Sequence, residues 1–445
     1  MANDAMNYDE PKSVLSMFQV VFGPGVLSTP LGAHHRKQRK MLNPAFSIAH
    51  MKEQIPIFYG IARKVRDTLV RKVQDGPKEV DVSSWMGRTA LELIGQSGLG
   101  YSFDDLEDQI RHDPFAHAIK ALTLLPWWKD LQATKFFADE LWRMSTEIFE
   151  ARVKALEMGD DEMKRQTGGG KDLMSLLIKE NMKATGEDRL SKEELLAQVN
   201  STQYYDVSMS NNDFSCTLTT KYRILINAAT DTTSTALSQT LQLLATHPDV
   251  QRRLREEVDE AFQDGDASYE RLVSLPLLDA ICRETLRLYP PISKLVRIAK
   301  HDVVLPLSTP VVGIDGSAVT EILVPKNTEI HCSIINEHRN PDIWGPDAAE
   351  WKPERWMKPL SRTVTDASMP GVYSNLMTFS AGQRSCIGFK FSQLEMKVVL
   401  ALLIQEFEFS DAGKAVSWDL TMITSPTIDG QPRMPVVMGL VKGPQ

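Results

Sequence analysis

The sequence predicts a mainly α-helical fold with a small β region, on three observations. Apolar residues recur at three- and four-residue spacing through most of the first two-thirds of the chain, as in Ile55, Phe58, Tyr59, Ala62, Val65 and Leu69. That is the period of a helix with one buried face. After Pro290-Pro291 the pattern shortens to apolar runs bounded by turn residues, the signature of short strands. A last long helical stretch follows at 389–407. No internal repeat is visible, so the 445 residues read as one domain, 1–445.

The elements follow in order. Val14 to Leu27 is apolar but broken by Ser16, Gln19 and Gly23-Pro24-Gly25, and reads as a short core segment. Helices are expected over 51–73, 84–95, 141–156, 172–181 and 191–199, the last opened by Ser191 with Glu194 three residues on, a capping box. Residues 160–171, with Gly168-Gly169-Gly170, read as a surface linker. A long helix starts near Arg223 and stops before His247-Pro248; others cover 249–262 and 276–288. Strands are expected at 303–307, 321–324 and 328–334, followed by an irregular, proline-rich stretch over 341–377.

Composition excludes several classes. Apolar residues make up 42% and charged residues 24%, an ordinary globular balance rather than that of a disordered chain. A net charge of -8 argues against general nucleic-acid binding, which needs a basic field. Cys216, Cys282, Cys332 and Cys386 include no CxxC pair, so neither a disulfide framework nor a structural zinc site is expected, and a reducing compartment fits. No run of eighteen apolar residues occurs and the first ten residues lack a signal-peptide pattern.

The sharpest signal is Phe379-Ser-Ala-Gly382-Gln-Arg384-Ser-Cys386-Ile-Gly388, leading into the 389–407 helix. A helix N-terminus favours a thiolate. Gly382 and Gly388 are expected to permit a tight turn and close backbone approach to a flat group. Arg384 is placed to pair with an acidic group. A lone cysteine behind a turn is more often an inert buried one, but here the whole pattern is FxxGxRxCxG. It resembles the haem-binding loop of the cytochrome P-450 family, the haem-thiolate monooxygenases. The resemblance implies that Cys386 is the axial ligand of haem iron, with Phe379 and Gly388 in the haem-binding loop.

Other stretches agree. Glu284 and Arg287 form an ExxR pair with Glu284 on the apolar stripe of its helix, and Pro353-Glu354-Arg355-Trp356 resembles the family's PERF/PERW element. The resemblance implies a structural network of Glu284, Arg287 and Arg355. Ala228-Ala229-Thr230-Asp231-Thr232-Thr233 is similar to the oxygen-activating motif, with Ala229 where glycine is commoner; it implies proton delivery by Asp231 and Thr232. Ala228, Asp231, Thr232 and Thr235 fall on one helical face, although threonines also bond back to their own turn. Residues 32–47 resemble the family's helix C, with His35 where many members have tryptophan. His35, Arg39, Arg297 and Arg384 are thereby implied to hold haem propionates. Arg36, Lys37 and Lys40 read either as a solvated basic face or as a docking patch for an acidic redox partner.

The implied fold is therefore the cytochrome P-450 haem-thiolate fold. The implied cofactor is haem b (iron protoporphyrin IX), and the implied reaction places one atom of dioxygen in a small hydrophobic substrate. Electrons would come from NADPH through a flavin reductase, with cytochrome b5 as a second donor, since no Gly-rich dinucleotide motif is present. The resemblance is to fungal membrane-type members on the cytosolic face of the endoplasmic reticulum; against these, the sequence is expected to start late, without the anchor helix and opening strands. Residues 200–222, with 11 Ser, Thr or Asn and three charges among 23 residues, read either as an insertion, such as a translated intron, or as a long loop. Rival readings are a haem-thiolate isomerase or dehydratase, and a non-catalytic relic that binds haem poorly.

Overall fold

A computed structural model describes residues 6–22, 24–108, 131–159, 170–184, 186, 189–199, 225–367, 369–373, 375–420 and 423–441. The expected segment 200–222 lies outside the described residues, as does nearly all of the 160–171 linker.

The long helices, numbered here in chain order, are α1 (Lys12–Phe22), α2 (Ala33–Leu42), α3 (Ile48–Val73), α4 (Val82–Ile94), α5 (Leu131–Met158), α6 (Leu173–Lys183), α7 (Lys192–Val199), α8 (Leu225–Thr246), α9 (Pro248–Ala261), α10 (Pro276–Leu288) and α11 (Phe389–Glu406). Their ends follow local chemistry. Ser47 accepts from the His50 amide and Asp172 from the Ser175 amide, capping α3 and α6. The predicted capping box at α7 is formed in both directions, Ser191 N–H to Glu194 Oε2 at 3.0 Å and Glu194 N–H to Ser191 Oγ at 3.2 Å. Proline occupies the first turn of α9 and of α10, where a missing N–H costs nothing.

Two expectations are refined. The short core segment expected over 14–27 is mostly the helix α1, with Leu15 and Val26 buried. The 341–377 stretch holds short helical turns at Pro341–Trp344, Pro353–Met357 and Arg362–Asp366.

The β region is small and stitched from distant parts of the chain. β1 (Tyr8–Asp9) pairs with β3 (Lys294–Ala299), which also pairs with β6 (Glu329–Ser333). β4 (Val303–Val312) and β5 (Ala318–Val324) form a two-stranded ribbon. β2 (Lys78–Asp81) and β7 (Phe407–Asp411) flank β11 (Pro435–Leu440), while β8 (Ser417–Asp419), β9 (Ser425–Ile428) and β10 (Gln431–Pro432) make a third sheet.

One continuous core joins the helices. α8 packs on α4, and α11 packs on α3 and α9. Phe58 and Phe391 meet edge to face at 5.0 Å between centroids. Gln251 clamps α9 to the sheet, donating to the Leu244 and Phe409 carbonyls and accepting from the Phe409 amide. The helical core thus fixes where α8, which carries Asp231 and Thr232, lies relative to α11, which the Cys386 loop leads into.

Candidate active site around Cys386

Phe379 to Gly388 folds as a turn held from behind. The Cys386 amide donates to the Phe379 carbonyl at 2.8 Å, and the Ser385 amide to that of Gly382 at 3.1 Å. Gly382 has φ 67, so the predicted need for glycine is real there. Gly388 is different. Its φ is -89 and a Cβ would meet nothing closer than Phe46 at 3.7 Å, so the turn makes no conformational demand for glycine at that position. Phe379 is buried, edge to face with Tyr373 at 5.6 Å and tilted against Phe389 at 6.2 Å.

Cys386 is solvent-accessible, unlike the fully buried Cys282. Its thiol nonetheless lies deep enough among protein atoms that burial pushes its pKa up, ahead of the lowering by the Gly388 N–H and by Arg39. The two facts fit a thiol at the floor of a recess. The Gly388 N–H lowers the pKa in the sense expected of a helix N-terminus, but desolvation outweighs it. Binding a strong cation such as a metal favours the thiolate of a thiol in that state.

Four side chains from three elements form a linked cluster that reaches the cysteine through Arg39. Arg39, on α2, donates to the Ser385 carbonyl at 2.6 Å, and its charge acts on Cys386. His35, one turn earlier, is 1% exposed. Burial first, then Arg384, Arg39 and Arg36, lower its pKa to about 4, so its ring is neutral at pH 7 and its Nδ1 is buried without a partner. Arg384 donates to the Val26 and Thr29 carbonyls at 3.1 and 2.8 Å, leaving its Nε buried and unpartnered. Arg297, on β3, is buried and donates to its neighbour's carbonyl, that of Val296.

Sequence reasoning missed the acids here. Asp9 and Glu10, at the end of β1, lie 3.7 and 3.6 Å from Arg384, and Glu10 lies 3.9 Å from Arg297. The only sequence signal was an acidic pair before Pro11. A tetrapyrrole with two carboxylate arms fits this donor set of buried, unpartnered Arg384 Nε and His35 Nδ1 atoms, three guanidiniums and a soft sulfur ligand.

On α8, Ala228 is exposed and Asp231 and Thr232 are half-buried. The same face runs into protein at Thr235, which donates to the Thr424 carbonyl at 3.0 Å. Thr232 bonds back to the Ala228 carbonyl, the alternative weighed from sequence. Thr233 turns inward and meets Ser392 of α11 at 3.3 Å.

The expected charged network is formed. Glu284 and Arg287 are both fully buried and joined by two hydrogen bonds of 2.8 Å. Arg355 reaches Glu284 at 3.4 Å. Trp356 and the Lys352 amide also donate to Glu284, at 2.9 and 3.0 Å. Arg287 ties down the carbonyls of His338, Ala348 and Glu350. The indole of Trp356 as a ligand of Glu284 was not legible beforehand.

The cytochrome P450 family model matches residues 4–203 and 207–427. Cytochrome P450 monooxygenases 81 and 91 of Postia placenta are 44% and 45% identical to the chain, covering 98% and 99% of it and 81% and 83% of their own lengths. A ganoderic acid synthetase of Ganoderma lucidum is 39% identical over 99% of the chain and 83% of its own. The crystal structure of a cytochrome P450 matches the fold with a TM-score of 0.76 at 22% identity, over 99% of this chain and 86% of that one. With the cysteine loop, the buried Glu284–Arg287 pair and this similarity together, the chain belongs to the cytochrome P450 family and is a monooxygenase.

Proposed function

We propose that the chain holds haem b with Cys386 as axial ligand and places one atom of dioxygen in a small hydrophobic substrate, using electrons from NADPH delivered by a flavin reductase. The observation that carries this is an accessible cysteine whose nearest cation, Arg39, belongs to a cluster with Arg384 and a neutral His35, extended to Arg297 through Glu10. When bound, the haem supplies dioxygen activation, favoured by an electron-rich thiolate.

The protein's own residues do the remaining work. Arg39, Arg297 and Arg384 bring fixed positive charge to the carboxylate arms, and His35 adds a neutral N–H donor. Phe379, stacked among Tyr373 and Phe389, keeps water off the sulfur side of the loop. Thr232 commits its hydroxyl proton to the Ala228 carbonyl. Its oxygen lone pairs therefore face outward and accept from a proton-bearing group, while Asp231 beside it is the acid that replaces a spent proton. A positioned acid–base group of this kind is worth about 10²–10⁴-fold.

The exposed Arg36 and Lys40 on α2, with the groove lined by Lys37, Lys40, Met41, Pro44, Glu180 and Lys183, are the proposed reductase face, shared with cytochrome b5. Among the described residues no helix is long and apolar enough to cross a membrane. Placement at the cytosolic face of the endoplasmic reticulum is carried by family resemblance. The ganoderic acid synthetase among the relatives is in keeping with a role in fungal secondary metabolism.

The test is a reduced, carbon-monoxide difference spectrum of the purified chain. Cys386→Ser should lose the thiolate-type band while Cys282→Ser and Cys332→Ser keep it. An unchanged spectrum for Cys386→Ser refutes the assignment. Product formation without NADPH would select the isomerase or dehydratase reading instead.

A further inference from the structure

We propose that Glu10 sets how tightly the site holds its haem, by keeping a protein carboxylate against Arg297 and Arg384, the guanidiniums that a haem carboxylate arm would claim. This rests on the reading that Cys386 ligates haem iron and that these arginines face its carboxylates.

The position of Glu10 follows from strand register. Tyr8 pairs with Ala299 and Asp9 with Ile298. Tyr8 is anchored in a small core with Ala299, Val303 and Val324, and the Lys300 amide bonds the Asn7 carbonyl at 2.9 Å. The next step along the strand carries Glu10 to the level of Arg297. There its Oε1 lies 3.9 Å from Arg297 Nη1 and its Oε2 lies 3.6 Å from Arg384 Nη2.

Neither contact is a hydrogen bond. Glu10 Oε2 and Arg384 Nε are both buried without a hydrogen-bond partner. Other groups orient the arginines: the Val26 and Thr29 carbonyls for Arg384, and the Val296 carbonyl for Arg297. Glu10 therefore contributes charge to this cluster rather than geometry. Burial raises its carboxyl above the ordinary range, ahead of the lowering by Arg384 and Arg297.

The charge count gives the direction. Arg39, Arg297 and Arg384 bring three positive charges; Asp9 and Glu10 bring two negative ones, with His35 neutral. One net positive charge remains to meet two incoming carboxylates. Removing the Glu10 charge doubles the net positive charge at little cost to the shape of the site.

The experiment loads the full chain and its variants with hemin and follows the Soret band as hemin transfers to excess apomyoglobin. Glu10→Gln should release hemin about tenfold more slowly than the parent, a modest value because the carboxylate acts on the arginines across 3.6–3.9 Å without hydrogen bonds. Glu10→Lys should be slower still. Asp9→Asn, which touches Arg384 but not Arg297, should slow release by a smaller factor, and it reads the same field if the Glu10 variants fold poorly. Faster release from Glu10→Gln would show that the acid orients the arginines, and an unchanged rate would show that it does not act on haem; either overturns the proposal. The carbon-monoxide band of the parent separates the two levels. If the parent shows no thiolate-type band, the Cys386 reading fails and this proposal falls with it. If the band is present and the rates do not move as stated, this proposal alone fails.

Discussion

Replacing Glu284 by alanine should destabilise the chain by about 3–5 kcal/mol, the usual cost of stranding one member of a buried ion pair. The structure shows why the figure belongs at that level. Glu284 is fully buried and its two oxygens accept from Arg287 twice, from Arg355, from Trp356 and from the Lys352 amide. Arg287, also fully buried, would keep three carbonyl partners but lose the anion that compensates its charge. The Trp356 indole and the Lys352 amide would each lose a partner, and an unmet buried donor alone costs about 1–3 kcal/mol. Against a total stability of about 5–15 kcal/mol, the loss should appear as a large fall in the urea midpoint and in hemin bound per chain. Arg355→Ala should cost less, about 1–3 kcal/mol, because Arg355 is 14% exposed and its 3.4 Å contact leaves the Glu284–Arg287 pair intact. Urea unfolding followed by far-UV circular dichroism, with hemin content measured alongside, checks both. A Glu284→Ala chain within about 1 kcal/mol of the parent, or an Arg355→Ala chain that suffers more, would refute the reasoning.

Two further predictions follow from single side chains. His338 is buried, donates from Nδ1 to the Arg287 carbonyl at 3.1 Å and accepts the Met377 amide at Nε2 at 2.9 Å, and burial holds its pKa at about 4 against an ordinary 6.5. Because the unfolded chain binds this proton more readily, the stabilisation is complete above pH 6.5 and is lost as pH falls toward 4. Urea midpoints should report about 2 kcal/mol lost between pH 7 and pH 5 from this residue, and a slope unchanged in His338→Gln would count against it. Thr232→Ala should keep hemin and substrate binding but yield less product and more peroxide per NADPH oxidised, whereas Thr233→Ala, whose hydroxyl faces Ser392, should remain coupled. The reverse pattern would place the working hydroxyl one residue on.

The helices were legible because each buries one face, and the period survives in residues such as Phe58, Val65 and Leu69, all fully buried. The strands were legible in part: β6 and much of the β4–β5 ribbon stand where short apolar runs are bounded by turn residues. The ribbon of β4 and β5 was expected in part, yet β11 escaped notice although Val436 and Met438 are buried within it. Its neighbours are β2, more than three hundred residues earlier, and β7. Such pairing leaves no local mark on either strand. β3 was hidden for the same reason, since it is completed by β1 from the far end of the chain.

The site divides along a similar line. Motifs named Cys386, Glu284, Arg287, Arg355 and the arginines, because fixed spacing carries over from one family member to another. What spacing does not carry is the balance of opposing terms at each atom. The helix N-terminus and Arg39 both favour the Cys386 thiolate, but burial outweighs them. Burial first, and then the basic residues around it, leave His35 neutral rather than cationic. The two readings converge on one consequence. A thiol held above its ordinary pKa, beside cations partly neutralised by Asp9 and Glu10, gains its thiolate character with the arrival of a metal rather than before it. Protons should therefore be released as hemin binds, and the number released should fall once the pH exceeds the pKa of the free thiol.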